Sequence, residues 1–292
     1  MLFVVDFDET ITAHDTISCI AEAANKPDLW SFLAKAYWDE YLSWRSGLPK
    51  LTTLSSYLDL LRKGGFAEAA SIQRIQKHKF FEGLTPEQLE GVASSITLRD
   101  GFDKFLQLLM PRLRDGTDEF HILSINWSSR VIEATLRRIP DIDTGLITIH
   151  SNDLEMDPTN QLTTGKIVPF HAESLILTAD DKAREFQTLV RSSPYNATVY
   201  IGDSSTDFGC FSHASISILF LATEKILFTL ESFSDVRLLK LDASYDLSNT
   251  KERPQFNPSP LYQSQSLKAQ SLSQTKIYTC DQWHIITAVF RR

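Results

Sequence analysis

Two carboxylates, Asp6 and Asp8, directly follow a run of five apolar residues in the opening stretch MLFVVDFDETIT. The apolar run predicts a short strand that is buried on both faces. Because side chains alternate along a strand, both carboxylates would point to the same side and repel each other. A divalent cation, which prefers hard oxygen ligands, would remove that repulsion. The alternative is a strand that ends in a solvated acidic turn, and this stretch alone leaves both open.

Two further predicted strands also end in residues that could do chemistry. The run ATVYI, residues 197–201, leads into GDSSTDF, which places Asp203 at the strand end and Asp207 one helical turn later on the same side. Gly202 allows the backbone to turn between them. The run HILS ends in the hydroxyl of Ser124. Carboxyl ends of parallel strands form the ligand crevice of a doubly wound sheet, so these side chains are expected to meet.

A lysine accompanies these strand ends. The segment TADDKAREFQTLV predicts a helix in which Asp180 or Asp181 is the N-cap and Lys182 lies in the first turn. Lysine usually lies late in a helix, where it suits the helix dipole, so an early lysine suggests an anionic partner. Lys166 is the competing candidate. We favour Lys182 because its helix leads directly to the strand that ends at Asp203.

Together these four segments resemble the phosphatase branch of the haloacid-dehalogenase superfamily. The signatures are DxDxT (Asp6 to Thr10), the strand-end Ser124, the helical Lys182 and GDxxxD (Gly202 to Asp207). The wider string DFDETIT, followed by HDTI, is similar to two subgroups. One is the phosphoethanolamine/phosphocholine phosphatases, and the other is the phosphatase of 2-hydroxy-3-keto-5-methylthiopentenyl-1-phosphate. The resemblance covers roughly residues 1–241.

The resemblance implies an α/β fold, with a Rossmann-like, doubly wound and mainly parallel sheet and an inserted α-helical cap. Residues 1–12 and 98–292 would form the core, and residues 13–97, whose pattern is helical and rich in aromatic residues, would form the cap. Within the core, the Ser-, Gln- and Pro-rich residues 243–275 have too few large apolar side chains to offset the entropy of ordering. We expect them to form a flexible excursion, and residues 276–292 to return as a strand and a helix.

The same resemblance implies catalysis by two carboxylates. Asp6 would be the nucleophile that forms an aspartyl-phosphate. Asp8 would be the general acid that protonates the leaving group, and then the base that activates water. Lys182 would be the third catalytic group, because its charge favours the ionised form of Asp6. The phosphoryl oxygens would be bound by Ser124, Ile125, Asn126 and Lys182.

Mg²⁺ is the cofactor that the resemblance implies. Its ligands would be the carboxylates of Asp6 and Asp203 and the backbone carbonyl of Asp8. Asp207 and Ser204 would orient these ligands from behind them.

Substrate size follows from the cap, since helices over the crevice would exclude a phosphoprotein. We therefore expect a small phosphorylated metabolite, with Glu9, Asp15 and Trp127 as candidate residues of the substrate pocket. The alternative from another functional class is a catalytically weak regulatory or binding protein on the same scaffold. The complete set of carboxylates favours the enzyme.

Composition narrows the remaining classes. A net charge of −8 and a pI of about 5.4 argue against nucleic acid as the partner. Cys19, Cys210 and Cys280 are odd in number and have no metal-ligand spacing, which favours reduced thiols. No apolar run is long enough to predict a membrane span. We expect a cytosolic or nucleocytoplasmic protein, and the oligomeric state stays open.

Overall fold

The computed structural model describes residues 1–244 and 274–291. Eight strands of this part form one sheet in the order β4-β3-β2-β1-β5-β6-β8-β7, and every neighbouring pair is parallel except β3 and β4. The predicted mainly parallel, Rossmann-like sheet is therefore confirmed. Of the predicted excursion at 243–275, residues 245–273 lie outside the described residues. In chain order the strands are β1 (Leu2–Val5), β2 (Glu119–Leu123), β3 (Ile147–Met156), β4 (Thr163–Phe170), β5 (Thr198–Gly202), β6 (Ile216–Phe220), β7 (Val236–Lys240) and β8 (Thr275–Cys280).

Helices cover both faces of the sheet and fill the connection between β1 and β2. None of those in the described residues is long and apolar enough to span a bilayer. The helices are α1 (Ile17–Ala23), α2 (Pro27–Ser46), α3 (Leu54–Gly64), α4 (Phe66–Lys77), α5 (Pro86–Val92), α6 (Phe102–Arg114), α7 (Ser129–Leu136), α8 (Ala179–Ser192), α9 (Phe208–Phe211), α10 (Glu224–Glu231) and α11 (Trp283–Phe290).

Strand β1 lies at the centre of the sheet and is apolar on both sides, as its sequence predicts. Phe3 and Val5 pack on one face with α6 and α11, whereas Leu2 and Val4 pack on the other with α8 and α9. All four side chains are fully buried. A strand with two covered faces needs a continuous apolar run, because no position faces water.

Helices α1 to α5 leave the sheet and return to it at one point. Thr12 and Leu98 form an isolated antiparallel bridge, and the backbone N–H of Ala13 donates to Thr97 O at 2.8 Å beside it. Beyond this bridge α1, α2, α4 and α5 pack into an apolar cluster that also includes Trp127 from the loop after β2, Val131 of α7, Leu154 of β3 and Ile167 of β4. Helices α1 to α5 therefore form a helical unit whose two chain connections to the sheet are adjacent, and a second isolated bridge, between Glu82 and Thr164, joins this unit to β4.

A histidine pair, of which His150 is buried and His121 partly exposed, joins β2, β3 and α8. His121 Nδ1 lies 3.0 Å from His150 Nε2, and His150 Nδ1 lies 2.9 Å from Glu185 Oε1. Glu119 Oε2 is 3.6 Å from the other nitrogen of His121. Burial, followed by the charge of His150, lowers the pKa of His121 from 6.5 to about 4. Protonation of His121 therefore opposes folding.

This shift gives the protein a pH-dependent stability. A histidine with a lower pKa in the folded state stabilises the fold above pH 6.5 and loses that contribution as the pH falls towards 4. Between pH 7 and pH 5 the expected loss from His121 is on the order of 2 kcal/mol. Urea unfolding of the parent and of His121→Gln at both pH values checks this. Equal losses in the two proteins would exclude His121 as the source.

Candidate active site

Three neighbouring parallel strands bring the predicted strand-end residues to one edge of the sheet. Asp6 follows β1, Ser124 follows β2 and Asp203 follows β5, and β1 pairs with both of the others. The backbone N–H of Asp6 donates to Ile201 O at 2.9 Å, which continues the β1–β5 ladder up to the carboxylate. Their common edge is the carboxyl end of the sheet, where doubly wound folds bind ligands.

Lys182 reaches this edge from the first turn of α8. Its side chain is fully buried, and its Nζ lies 2.7 Å from Asp6 Oδ1 and 2.7 Å from Asp207 Oδ1. Burial lowers the pKa of Lys182, but the attraction of Asp207 and Asp6 outweighs it, so the net shift is upward and the amine stays charged. The predicted N-cap was wrong: the hydroxyl of Thr178 caps α8, and Asp181 completes the capping box from the third helical position.

Asp207 is held in place by five donors. Its Oδ1 accepts from Lys182 Nζ and from Tyr200 OH, each at 2.7 Å. Its Oδ2 accepts from the backbone N–H groups of Asp203 and Ser204, at 3.1 and 2.9 Å, and from Ser204 Oγ at 3.3 Å. The Asp207 carboxyl group lies so close to the backbone of Gly202 that a Cβ at position 202 would be only 2.3 Å from Asp207 Cγ. Glycine at 202 is therefore a steric requirement of this carboxylate's position.

The carboxylates of Asp6, Asp203 and Asp207 form a buried acidic cluster in which one oxygen of each lies within 4.8 Å of the others. Burial raises the pKa of Asp6 well above its usual range, although Lys182 opposes the shift. Burial and then the charge of Asp207 raise the pKa of Asp203 to about 7. Three carboxyl groups so close together repel when ionised. An oxygen-only donor set of this kind fits a hard divalent cation such as Mg²⁺.

Asp8 is oriented by the start of α1 and by the loop after β2. Its Oδ1 accepts from the backbone N–H of Thr16 at 2.9 Å and from the Thr16 hydroxyl at 2.5 Å, and its Oδ2 accepts from Asn126 Nδ2 at 2.9 Å. Burial, followed by the charge of Asp15, raises the pKa of Asp8 to about 6. Both oxygens of Asp8 are engaged by these donors, and its carboxylate does not belong to the cluster of Asp6, Asp203 and Asp207.

The phosphate loop, defined as residues 124–128, contains the predicted phosphate ligands. Ser124 and Asn126 are almost completely buried, and Ile125 is half-buried between them. Ser124 Oγ accepts from the backbone N–H of Asn126 at 3.1 Å, and Asn126 Oδ1 accepts from the backbone N–H of Ser128 at 3.0 Å. These bonds fold the loop back on itself directly before α7. The backbone N–H of Asn126, one of the residues predicted to bind phosphate, is therefore already bonded to a hydroxyl of the same loop.

The three candidate pocket residues lie in different surroundings. Glu9 is exposed, has a left-handed backbone with φ of 59°, and receives a hydrogen bond on its carbonyl from Arg99. Asp15 is also exposed, and its charge acts on Asp8. Trp127 is 8% exposed, and its ring packs against aromatic rings of the helical unit between β1 and β2. Packing thus accounts for most of the surface of Trp127.

Comparison with known proteins decides the family. A family model described as haloacid dehalogenase-like hydrolase matches residues 3–212, which include every strand-end residue described above. The chain belongs to the haloacid dehalogenase-like hydrolases. The superfamily predicted from the sequence is therefore confirmed, and the two phosphatase subgroups stay predictions.

Two curated relatives of this haloacid dehalogenase-like hydrolase, and the solved structure of another hydrolase, are informative. The chain is 47% identical to a "CTO1 family protein" of Schizosaccharomyces pombe, over 82% of this chain and 89% of the relative. It is 26% identical to "Cold tolerance protein 1" of Saccharomyces cerevisiae, over 73% of this chain and 76% of the relative. A HAD family hydrolase of Salmonella enterica serovar Typhi superposes with a TM-score of 0.50 at 16% identity, covering 78% of this chain and 64% of that one. That superposition shows the fold alone.

Three residues of the hydrolase site had no role assigned from the sequence. Thr10 donates from Oγ1 to Asp203 Oδ1 at 2.9 Å, Thr16 binds Asp8, and Tyr200 binds Asp207. Thr10 lies inside the first motif, so the sequence already indicated that it would be near the site. A phenol in the otherwise apolar run of β5 was a weaker signal. No signal in the sequence indicated Thr16, because its contact with Asp8 depends on how the chain turns into α1.

Proposed function

We propose that this protein is a Mg²⁺-dependent phosphatase that hydrolyses a small phosphomonoester through an aspartyl-phosphate on Asp6. The observation that carries the proposal is the contact of Asp6 with the buried Lys182 at 2.7 Å, beside Asp203 and Asp207 at the carboxyl end of the sheet. A nucleophilic carboxylate, a fixed cation and two further carboxylates are the groups that this chemistry requires.

Asp6 attacks phosphorus in line with the bond to the leaving alkoxide, and that bond breaks as the Asp6–phosphorus bond forms. Water then attacks the aspartyl-phosphate, releases orthophosphate and restores the carboxylate, so one difficult hydrolysis becomes two easier displacements. Lys182, Ser124 and the backbone N–H of Ile125 bind the phosphoryl oxygens, and the Asn126 N–H joins them when it exchanges Ser124 Oγ for the phosphoryl group. Because Lys182 is anchored on Asp207, its charge is positioned before the substrate arrives.

Asp8 transfers the protons of both displacements. It protonates the leaving oxygen in the first and takes a proton from water in the second. Its pKa of about 6 supports this role, since a group that gives and then takes a proton works best when its pKa is near the working pH. The hydrogen bonds from Thr16 and Asn126 hold its carboxyl in one orientation.

The residues that would hold Mg²⁺ are Asp6, Asp203 and the backbone carbonyl of Asp8, with Asp207 and Ser204 behind them. When bound, Mg²⁺ supplies positive charge that offsets the charge of the phosphoryl oxygens. Five donors already bind the Asp207 carboxylate, which supports a role in orienting Asp203 and Lys182 over direct ligation of the metal.

Helices α1 to α5 act as the cap in this proposal, with residues 13–97 as the cap and 1–12 and 98–292 as the core. The bridge between Thr12 and Leu98 supports these boundaries, because both connections cross there. Glu9 and Asp15 lie where the chain enters the cap, close to Asp8, and would contact the leaving group. A small phosphorylated metabolite of the cytosol is the expected substrate.

The Asp8→Asn variant is expected to accumulate the phospho-enzyme. An asparagine keeps the size of the side chain but cannot take a proton from water, so breakdown of the aspartyl-phosphate slows more than its formation. Mass spectrometry of rapidly quenched protein checks this by showing one added phosphoryl group on the Asp6 peptide. A collapse of Mg²⁺ affinity would instead mean that the Asp8 carboxylate is itself a metal ligand.

The proposed function is tested by a broad panel of small phosphomonoesters, assayed for orthophosphate release with Mg²⁺ and with excess EDTA. Turnover of at least one ester that EDTA abolishes and Mg²⁺ restores is the expected result. A correctly folded protein that hydrolyses no ester of the panel would favour the regulatory alternative. Turnover that is indifferent to EDTA would overturn the metal assignment alone.

A further inference from the structure

Asn152 of β3 contacts two segments that carry the proposed phosphate ligands. Its side chain is fully buried. Nδ2 lies 3.1 Å from Ile125 O and 3.3 Å from Asn126 O, both in the phosphate loop. The same nitrogen donates to Ile176 O at 2.8 Å, and Oδ1 accepts from the backbone N–H of Ile176 at 2.9 Å. One amide therefore joins the phosphate loop to the segment that leads into α8.

The surroundings permit only one orientation of this amide. Nδ2 has two hydrogens: one points to Ile176 O, and the other is shared between Ile125 O and Asn126 O. The reversed orientation would set Oδ1 against three carbonyl oxygens and leave the Ile176 N–H facing a donor. Every polar atom of the side chain is thus paired, as a buried amide requires.

Both ends of this connection continue directly to a phosphate ligand. On one side the bonded carbonyls belong to the loop that begins with Ser124. On the other side Ile176 precedes Thr178, whose side chain caps α8 and whose carbonyl accepts the backbone N–H of Lys182 at 3.0 Å. The separation of Ser124 and Lys182 therefore depends on how the two segments are tied together.

We propose that Asn152 is a positioning residue, which sets the distance between the phosphate loop and the start of α8 so that both bind one phosphoryl group. It touches neither substrate nor nucleophile and acts through backbone atoms at Ile125, Asn126 and Ile176. The main chain contributes only to the loop side, where the N–H of Asn152 donates to Asn126 O at 3.1 Å. The link to Ile176 is made by the side chain, so a substitution removes it while β3 stays paired.

This proposal rests on the proposed function and deepens it, and its test uses two variants. Asn152→Leu keeps the branched shape of the side chain and removes all its side-chain hydrogen bonds, whereas Asn152→Ser is smaller and keeps a hydroxyl that reaches only one segment. For each variant, kcat/KM is measured with p-nitrophenyl phosphate and the inhibition constant with orthovanadate, at a temperature where both are folded. We expect kcat/KM to fall about a hundredfold in Asn152→Leu, as for a displacement of about 1 Å in a site.

The matched control is Ser217→Ala on β6. Ser217 is 2% exposed and donates to Phe211 O at 2.8 Å, so its loss also removes a buried hydrogen bond but no link between phosphate ligands. Its thermal midpoint should fall while its kinetic constants match the parent. Loss of vanadate affinity in both Asn152 variants, with the control unchanged, supports positioning.

Two results would overturn the proposal, and they differ from each other. Folded Asn152 variants with parental kcat/KM and vanadate affinity, and a lower thermal midpoint, would make Asn152 a structural residue only. A parent protein that neither hydrolyses p-nitrophenyl phosphate nor binds vanadate would overturn the proposed phosphatase function, and this inference with it. The parent's own kinetics therefore separate the two failures.

Discussion

Asp6→Asn is expected to reduce phosphatase turnover by at least about a thousandfold, which corresponds to about 4 kcal/mol in the activation barrier. An amide oxygen cannot attack phosphorus to give a stable intermediate, so the first displacement has no nucleophile. The thermal stability of the fold should not decrease. Burial raises the pKa of Asp6, Lys182 opposes the shift, and the charges of Asp207 and Asp203 add to it. An uncharged side chain therefore avoids the burial of a charge and the repulsion when no divalent cation is present, while Lys182 keeps Asp207 as its partner. A thermal midpoint equal to or above that of the parent is expected in EDTA.

The control for this variant is a buried carboxylate that stabilises the fold but lies outside the site. Asp118 is 3% exposed and pairs with Arg112 at 2.5 Å, away from the strand ends that carry the acidic cluster. Asp118→Asn should lower the midpoint and leave kcat unchanged. Substantial turnover by pure Asp6→Asn protein, with back-conversion to aspartate excluded by mass spectrometry, would remove Asp6 as the nucleophile.

The sheet was predictable because its signals are local in the sequence. Apolar runs that end in Asp6, Ser124 and Asp203 mark buried strands, and parallel pairing brings their ends to one edge without further information. The preference for Lys182 over Lys166 used the same logic of position in the chain. In the structure Lys182 forms an ion pair with Asp6, whereas Lys166 forms one with Glu155 on the adjacent strand.

The contacts that refine the site were not predictable, because each depends on segments distant in the sequence. Thr16 and Asn126 are 110 residues apart, yet both bind Asp8. The pairing of Asn152 with Ile176 likewise requires β3 and α8 to be packed first. The prediction of the α8 N-cap failed for a local reason. Aspartate is preferred to threonine at an N-cap, so residue type favoured Asp180 or Asp181, and only the backbone geometry selects Thr178.

Lys182→Met is expected to be the most destabilising substitution in the site. Methionine keeps the length of the side chain but removes the charge that lies 2.7 Å from both Asp6 and Asp207. Loss of one partner from a buried ion pair typically costs about 3–5 kcal/mol, because the other charge stays buried without compensation. For a chain of this size the thermal midpoint should fall by about 10 °C in EDTA. Turnover should fall with it, since the phosphoryl oxygens lose their fixed cation.

The response to Mg²⁺ separates this explanation from a simple packing defect. If the variant is destabilised by uncompensated carboxylates, a divalent cation on Asp6 and Asp203 should raise its midpoint by more than it raises that of the parent. A packing defect would give equal increments in the two proteins.

Lys166→Met provides the matched control, because the same chemical change is made at the competing lysine. Lys166 lies on β4 with its side chain 65% exposed, and its Nζ is 3.3 Å from Glu155 Oε2. A surface pair of this kind contributes at most about 1 kcal/mol, so midpoint and turnover should both stay close to the parental values. Loss of turnover in Lys166→Met with full activity in Lys182→Met would reverse the assignment of the catalytic lysine. If Lys182→Met were as stable as the parent in EDTA, the acidic cluster would be protonated when Lys182 is absent. The ion pairs of Lys182 with Asp6 and Asp207 would then not be what holds Asp207 in place.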